Sequence, residues 1–215
     1  MRGCLQKIKP GYDAAIKRIK ERKLTVQRNM IECPSLANLR DEATAFLTSA
    51  KRALQSVGEV FNQFYAPDGK KPFVNNANFK FAITRLKSLQ PVNQNFLDYL
   101  HKVEPIAKRL VDLRNGLEHQ NEKDFTEIEN FQLTPKGIAP PVWRRDNSAV
   151  EGPILEEMEF FIIFLIELCK HVFFFGFIDN IAPNFPIRFQ VEQLPDTEID
   201  VECPIRFRLK PLFVE

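Results

Sequence analysis

The sequence predicts a mainly α fold, a helical bundle with a small β appendage. Three observations carry this prediction. Apolar residues recur at helical spacing over most of the first 180 positions. The region 124–150 replaces that periodicity with turn residues. The last thirty or so positions then alternate apolar and polar with period two, as half-buried strands do.

The elements follow in order. Residues 12–28 read as a basic amphipathic helix, with Tyr12, Ala15, Ile16, Ile19 and Val26 on its apolar side. Lys17, Arg18, Lys20, Arg22 and Lys23 cover the rest, and form an electrostatic footprint suited to nucleic acid or a solvated helix face. Pro34-Ser35 predicts a helix start with Ser35 as N-cap. From there Leu36, Leu39, Ala43, Phe46, Leu47, Ala50, Leu54, Val57, Val60, Phe61 and Phe64 hold the strongest periodic stripe in the chain, predicting a helix over 35–65.

Prolines and a glycine at 66–74 break that stripe. A third helix is expected over 77–89, ended by Pro91, and a fourth over 93–119. Pro105 either bends the fourth or opens a new helix as its first residue. Thr134-Pro135-Lys136-Gly137 predicts a turn between short strands at 131–133 and 138–139. Pro140-Pro141, Arg144-Arg145 and Asp146-Asn147-Ser148 read as loop. A long apolar helix is expected over 153–178. Two strands close the chain, one at 187–192 and one at 199–209, with a turn at 194–197 and an edge or bulge at Pro204. The expected organisation is a basic N-terminal helix and linker over 1–34, a helical bundle over 35–180 and a β appendage over 181–215.

Bulk properties narrow the function classes. With 215 residues and a hydrophobic fraction of 44%, the chain can bury a sizeable core, and twenty phenylalanines supply large rigid pieces for it. Net charge is only +2, yet residues 1–28 carry nine Lys/Arg against two acids, so the basic charge is concentrated at one end. Cys4, Cys33, Cys169 and Cys203 form no CxxC pair, and three scattered histidines complete no zinc-ligand spacing. No metal or cofactor is therefore expected, and reduced thiols fit a cytoplasmic protein. No glycine-rich phosphate loop, no Gly-x-Ser-x-Gly motif and no apolar leader segment is seen. The apolar stretch 160–178 contains Glu167, Lys170 and His171, which a bilayer interior would penalise, so it is expected to be core or interface rather than membrane. Cys169 and His171, two apart on one helix, do not face each other and read as bundle-lining groups.

The most informative stretch is Arg114-Asn115-Gly116-Leu117-Glu118-His119, at the end of the fourth helix. Arginine can grip a phosphate through a charge-assisted fork. Histidine can move a proton near neutral pH. At about 100° per residue, Arg114 flanks the apolar stripe. Asn115 and His119 stack four apart on a face directed away from the core, toward solvent, a ligand or a second subunit. Arg114 and Glu118 are also four apart and able to pair. Gly116 marks a helix end or a close approach. Arg144 and Arg145, beside Trp143, offer a second candidate for phosphate contact and base stacking. Arg206-Phe207-Arg208-Leu209-Lys210 mixes basic and aromatic residues able to touch RNA, and reads first as an edge strand whose charges block aggregation.

Arg114-Asn115-x3-His119 resembles the Arg-x4–6-His signature of HEPN (higher eukaryotes and prokaryotes nucleotide-binding) domains, in which a polar residue often follows the arginine. The helix through 42–54 is similar to the long early helix of such domains, and the resemblance spans about 35–180. It implies a HEPN-like helical bundle acting as a homodimer on RNA or a nucleotide. In the catalytic members two motifs meet at a cleft. The ribose 2′-hydroxyl attacks the adjacent phosphate without a metal and leaves a cyclic phosphate end. Carried onto this chain, His119 would be the general base or acid, Arg114 would stabilise charge on the phosphate oxygens, and Asn115 would orient His119 or the phosphate. Glu118 takes no role. The alternative implied by the same family is a non-catalytic interaction or nucleotide-binding module.

Overall fold

The structure, a computed structural model, describes residues 1–23, 26–27, 30–66, 72–88, 93–119, 125–145, 151–181, 187–198 and 207–213. It is mainly helical, with small antiparallel hairpins.

Helix α1 spans Arg2–Lys20, not 12–28. The stripe continues back from Tyr12 through Ile8, Leu5 and Cys4, and these residues pack on the core, so tertiary burial carries the helix through Pro10. It ends where Lys17, Arg18 and Lys20 complement the negative end of the helix dipole. The expected tail of this helix is replaced by two short paired strands, β1 (Val26–Gln27) and β2 (Met30–Ile31). Lys7 pairs with Glu42 at 2.7 Å and Lys9 with Glu159 at 2.7 Å, linking α1 to the two longest helices.

Helix α2 (Leu39–Tyr65) starts later than expected. Its N-cap is Asn38 in the left-handed region, while Ser35 instead accepts a hydrogen bond from Asn130 at 3.2 Å. Helix α3 (Lys80–Leu86) is shorter than predicted, and its expected end at Leu89 and Pro91 lies outside the described residues. Helix α4 runs unbroken over Gln94–Glu118. Asn93 caps it by accepting from the Phe96 N–H at 3.3 Å, and Pro105 sits inside rather than opening a new helix.

Strands β3 (Thr126–Glu129), β4 (Gln132–Thr134), β5 (Gly137–Ala139), β6 (Val142–Arg145) and β7 (Glu151–Pro153) precede α5 (Ile154–Asp179). The β4–β5 hairpin forms at the expected turn. Arg144 and Arg145 are not loop residues. They lie on β6, the centre of an antiparallel β3-β6-β7 sheet with Ile128 opposite Trp143. A final hairpin pairs β8 (Ile187–Gln193) with β9 (Phe207–Phe213), across a 3-10 turn at Asp196–Glu198. The expected start of the last strand, with Cys203 and Pro204, lies outside the described residues.

The core sits where α2 packs against α4 and α5. Phe61 meets Phe96 at 5.9 Å and Phe79 edge-on at 6.3 Å, and Phe96 stacks on Phe175 at 4.6 Å. Fully burying such a side chain contributes roughly 1.5–3 kcal/mol, so this cluster is a main source of cohesion. By length and composition α5 could cross a membrane. Phe161, Leu165, Leu168 and Val172 are in the core, Phe160, Ile163 and Phe173 are exposed, and Lys170 pairs with Glu167 at 3.0 Å.

Candidate functional site

The last two turns of α4 carry the candidate motif. Leu110 and Leu113 anchor this end of the helix in the core, and Gly116 is buried against β3. A Cβ on Gly116 would lie 2.4 Å from Thr126 Oγ1 and 2.9 Å from Thr126 N, so only glycine lets strand and helix approach this closely. The chain leaves the helix at His119, whose N–H bonds to the Asn115 carbonyl at 2.8 Å.

Arg114 is largely buried, with its side chain 18% exposed. It forms the expected ion pair with Glu118 on its own helix. Its Nη1 also reaches Asn115 Oδ1 at 3.4 Å, while its Nε is buried with no hydrogen-bond partner among the described residues. Burial, then the nearby Arg52 charge, holds the guanidinium below its ordinary pKa, although it stays protonated.

Asn115 does not point away from the bundle as expected. It is half-buried, and its Oδ1 accepts from Lys51 Nζ of α2 at 3.0 Å. The helical-wheel expectation allowed α4 one buried stripe, whereas its final turns are covered from two sides, by Lys51 on α2 and by Thr126 on β3. His119 does face solvent, with its side chain 75% exposed and Nε2 3.7 Å from Glu118 Oε2. The structure thus places Arg114, Asn115 and Lys51 in one cluster, with Glu118 between Arg114 and His119.

Lys51 was not singled out from the sequence. The signal was present, because a lysine stands on the α2 stripe four residues after Leu47 and three before Leu54. Burial, then the Arg114 charge, holds its ammonium below the ordinary lysine value.

The other candidates lie on other elements of the fold, and of them Arg145 adjoins this end of α4, opposite Thr126 in the β3–β6 register. Lys17, Arg18, Lys20 and Arg22 are exposed at the end of α1 and just beyond it. Arg144 pairs with Glu129 at 3.3 Å and Arg145 with Asp112 at 2.9 Å. Trp143 cannot stack on a base in this fold, since it is fully buried and its indole N–H donates to Glu157. His171 stacks on Tyr99 with centroids 4.0 Å apart, and Cys169 is a half-buried thiol raised by burial, so both line the bundle.

Comparison of the chain with protein-family models, curated proteins and solved structures finds no match.

Proposed function

We propose that this protein is a HEPN-like RNA-directed protein that cleaves single-stranded RNA through Arg114, Asn115 and His119, without a metal. The observation that carries the reading is the arrangement at the end of α4. A solvent-facing imidazole stands one turn beyond a largely buried guanidinium, with Asn115 beside it. In the proposed reaction a base takes the ribose 2′-hydroxyl proton. The 2′-oxygen attacks phosphorus, the bond to the 5′-oxygen breaks, and that oxygen takes a proton as it leaves. The products are a 2′,3′-cyclic phosphate and a 5′-hydroxyl end.

In-line attack puts the base and the acid on opposite sides of the phosphorus. One imidazole does not serve both sides at once, which favours a homodimer with His119 from each copy. Arg114 would exchange Glu118 for phosphate oxygens as negative charge grows there. Asn115 would orient the phosphate rather than His119, because its carbonyl oxygen already accepts from Lys51 and Arg114. The reading belongs in the cytoplasm, where RNA is available to it.

One observation favours the second reading, a dimeric nucleotide-binding module without turnover: the Arg114–Glu118 pair closes the guanidinium with a carboxylate of the same helix. The test incubates purified protein with single-stranded RNA and DNA in EDTA. Cleavage of RNA alone, with cyclic-phosphate ends, supports the nuclease. Dimers in light scattering with no cleavage move the reading to the binding module.

A further inference from the structure

Taking an ammonium out of water forfeits several kcal/mol of hydration, which a facing carboxylate normally offsets. Lys51 is only 9% exposed, and among the described residues no carboxylate pairs with it. Among the described residues its hydrogen-bond partner is the neutral oxygen of Asn115 at 3.0 Å, and its charged neighbour is Arg114, which in turn is close enough to Arg52 to feel its charge.

The hydrogen-bond chemistry of the cluster is one-sided. Lysine and arginine can only donate. Both point at Asn115 Oδ1, so the Asn115 amide oxygen is committed inward. Among the described residues the Arg114 Nε–H is a buried donor without a partner, and the further hydrogens of the Lys51 ammonium and the Asn115 NH2 are donors too. Against them stands, among the described residues, one carboxylate, Glu118, which Arg114 and the more distant His119 hold. A surplus of donors and positive charge around one point matches a ligand with several acceptor oxygens and negative charge.

We propose that Lys51, together with Arg114, holds a phosphate group of the RNA, with Lys51 binding a non-bridging oxygen beside Asn115. Glu118 is released from Arg114 as the phosphate arrives. The assignment rests on the RNA reading for its ligand, and on the cluster alone for its anion chemistry. It also brings α2 into the site, so the phosphate bridges two helices that pack in the core.

The experiment separates binding from cleavage by using a fluorescent single-stranded oligoribonucleotide with 2′-O-methyl sugars, which lacks the attacking hydroxyl. Anisotropy is followed over a range of salt in EDTA. Folded Lys51→Met, of similar length but neutral, should bind roughly 10–100-fold more weakly, the loss of one charge-assisted contact. Its salt dependence should flatten by about 0.7 in logarithmic slope, one phosphate contact on a single strand. A merely structural lysine would not move that slope. A second measurement needs no mutant: inorganic phosphate added to isotope-labelled wild type should shift the Arg114 Nε–H and Asn115 side-chain NH2 resonances saturably, and chloride at equal ionic strength should not.

Unchanged affinity and slope in folded Lys51→Met, or resonances indifferent to phosphate, overturn the proposal. A response to inorganic phosphate with no binding of the oligonucleotide overturns its ligand. If wild type and Lys51→Met cut unmodified RNA equally, the nuclease survives and Lys51 is dismissed. If neither cuts but the slope change holds, Lys51 stands and the nuclease reading falls.

Discussion

Arg109 and Arg114 lie five residues apart on α4 and are buried to a similar degree, 23% and 18% exposed, yet their surroundings are opposite. Arg109 grips Glu157 of α5 through Nη2 at 2.7 and 2.8 Å and through Nε at 3.1 Å. The same carboxylate accepts the Trp143 indole N–H, and it sits so close to Gly152 that a Cβ there would lie 2.3 Å from its carbon. Charge and hydrogen bonds are matched, and the carboxylate joins α4, α5 and the sheet. Arg114 has, among the described residues, one carboxylate, from its own helix, two cationic neighbours and an unsatisfied Nε. The lesson is that compensation, not burial, separates a structural arginine from one suited to a ligand. A matched pair has little to gain from binding an anion, while an unmatched cluster gains whatever the anion supplies.

Substitutions should divide along that line, and the largest effect is expected on chemistry. His119→Ala should lower RNA cleavage by roughly 10²–10⁴-fold through loss of proton transfer. Arg114→Ala should lower it by about 10²–10³-fold through loss of charge stabilisation. Both should keep urea midpoints near that of wild type, because His119 is exposed and Arg114 leaves no unpaired partner across the bundle. A collapse of the Arg114→Ala midpoint would place Arg114 in the same class as Arg109 and undo the comparison.

The converse is Glu157→Gln, which leaves a guanidinium with a neutral partner and loosens the Trp143 contact. Breaking a fully buried pair costs about 3–5 kcal/mol, and the residual exposure here reduces that to roughly 2–3 kcal/mol. The loss should appear in urea denaturation, with cleavage per folded molecule within a few fold of wild type. A catalytic defect larger than the stability defect would mean that the matched network serves the site.

This contrast was only half legible in the sequence. The three long helices could be read from the sequence, the first two from their apolar period and the third from its apolar run, since 35–65, 93–119 and 153–178 fall close to Leu39–Tyr65, Gln94–Glu118 and Ile154–Asp179. Strand β6 could not, because Pro140-Pro141 and two arginines look like loop until β3 and β7 pair with them and Trp143 finds the core. The first ten residues carry a proline that local rules disfavour inside a helix, and the packing of Leu5 and Ile8 overrides it. At the site, the Arg114–Glu118 pair and the close approach at Gly116 follow from spacing and residue type. The Lys51–Asn115 bond joins positions 64 apart, and no local pattern encodes which side of α4 will meet α2.

Gly116 allows a smaller perturbation at the base of the site. Replacing a helical glycine by alanine should add up to about 1 kcal/mol of helix propensity. Here the new methyl meets the Thr126 backbone at 2.9 Å, and backbone gives way poorly. Gly116→Ala should therefore lose about 1–3 kcal/mol of stability in urea, the range for overpacking. It should also weaken cleavage by moving the turn that carries Asn115 and His119. Increased stability would show that β3 yields, and that the helix end is not fixed by this contact.

The smallest effect is expected at Thr126, whose hydroxyl is buried beside Gly116 with no hydrogen-bond partner among the described residues. Like Arg114 Nε, it is an unmatched polar atom, but it carries no net charge and so offers an anion far less. Thr126→Val keeps the branched shape and removes the hydroxyl. Deleting an unsatisfied buried polar atom should be neutral to stabilising, by about 0–1 kcal/mol, with cleavage unchanged. Lower stability would show that the hydroxyl is satisfied in solution. Lower cleavage at equal stability would place Thr126 with Lys51 and Arg114 in the ligand site, extending the unmatched cluster from two helices onto the sheet.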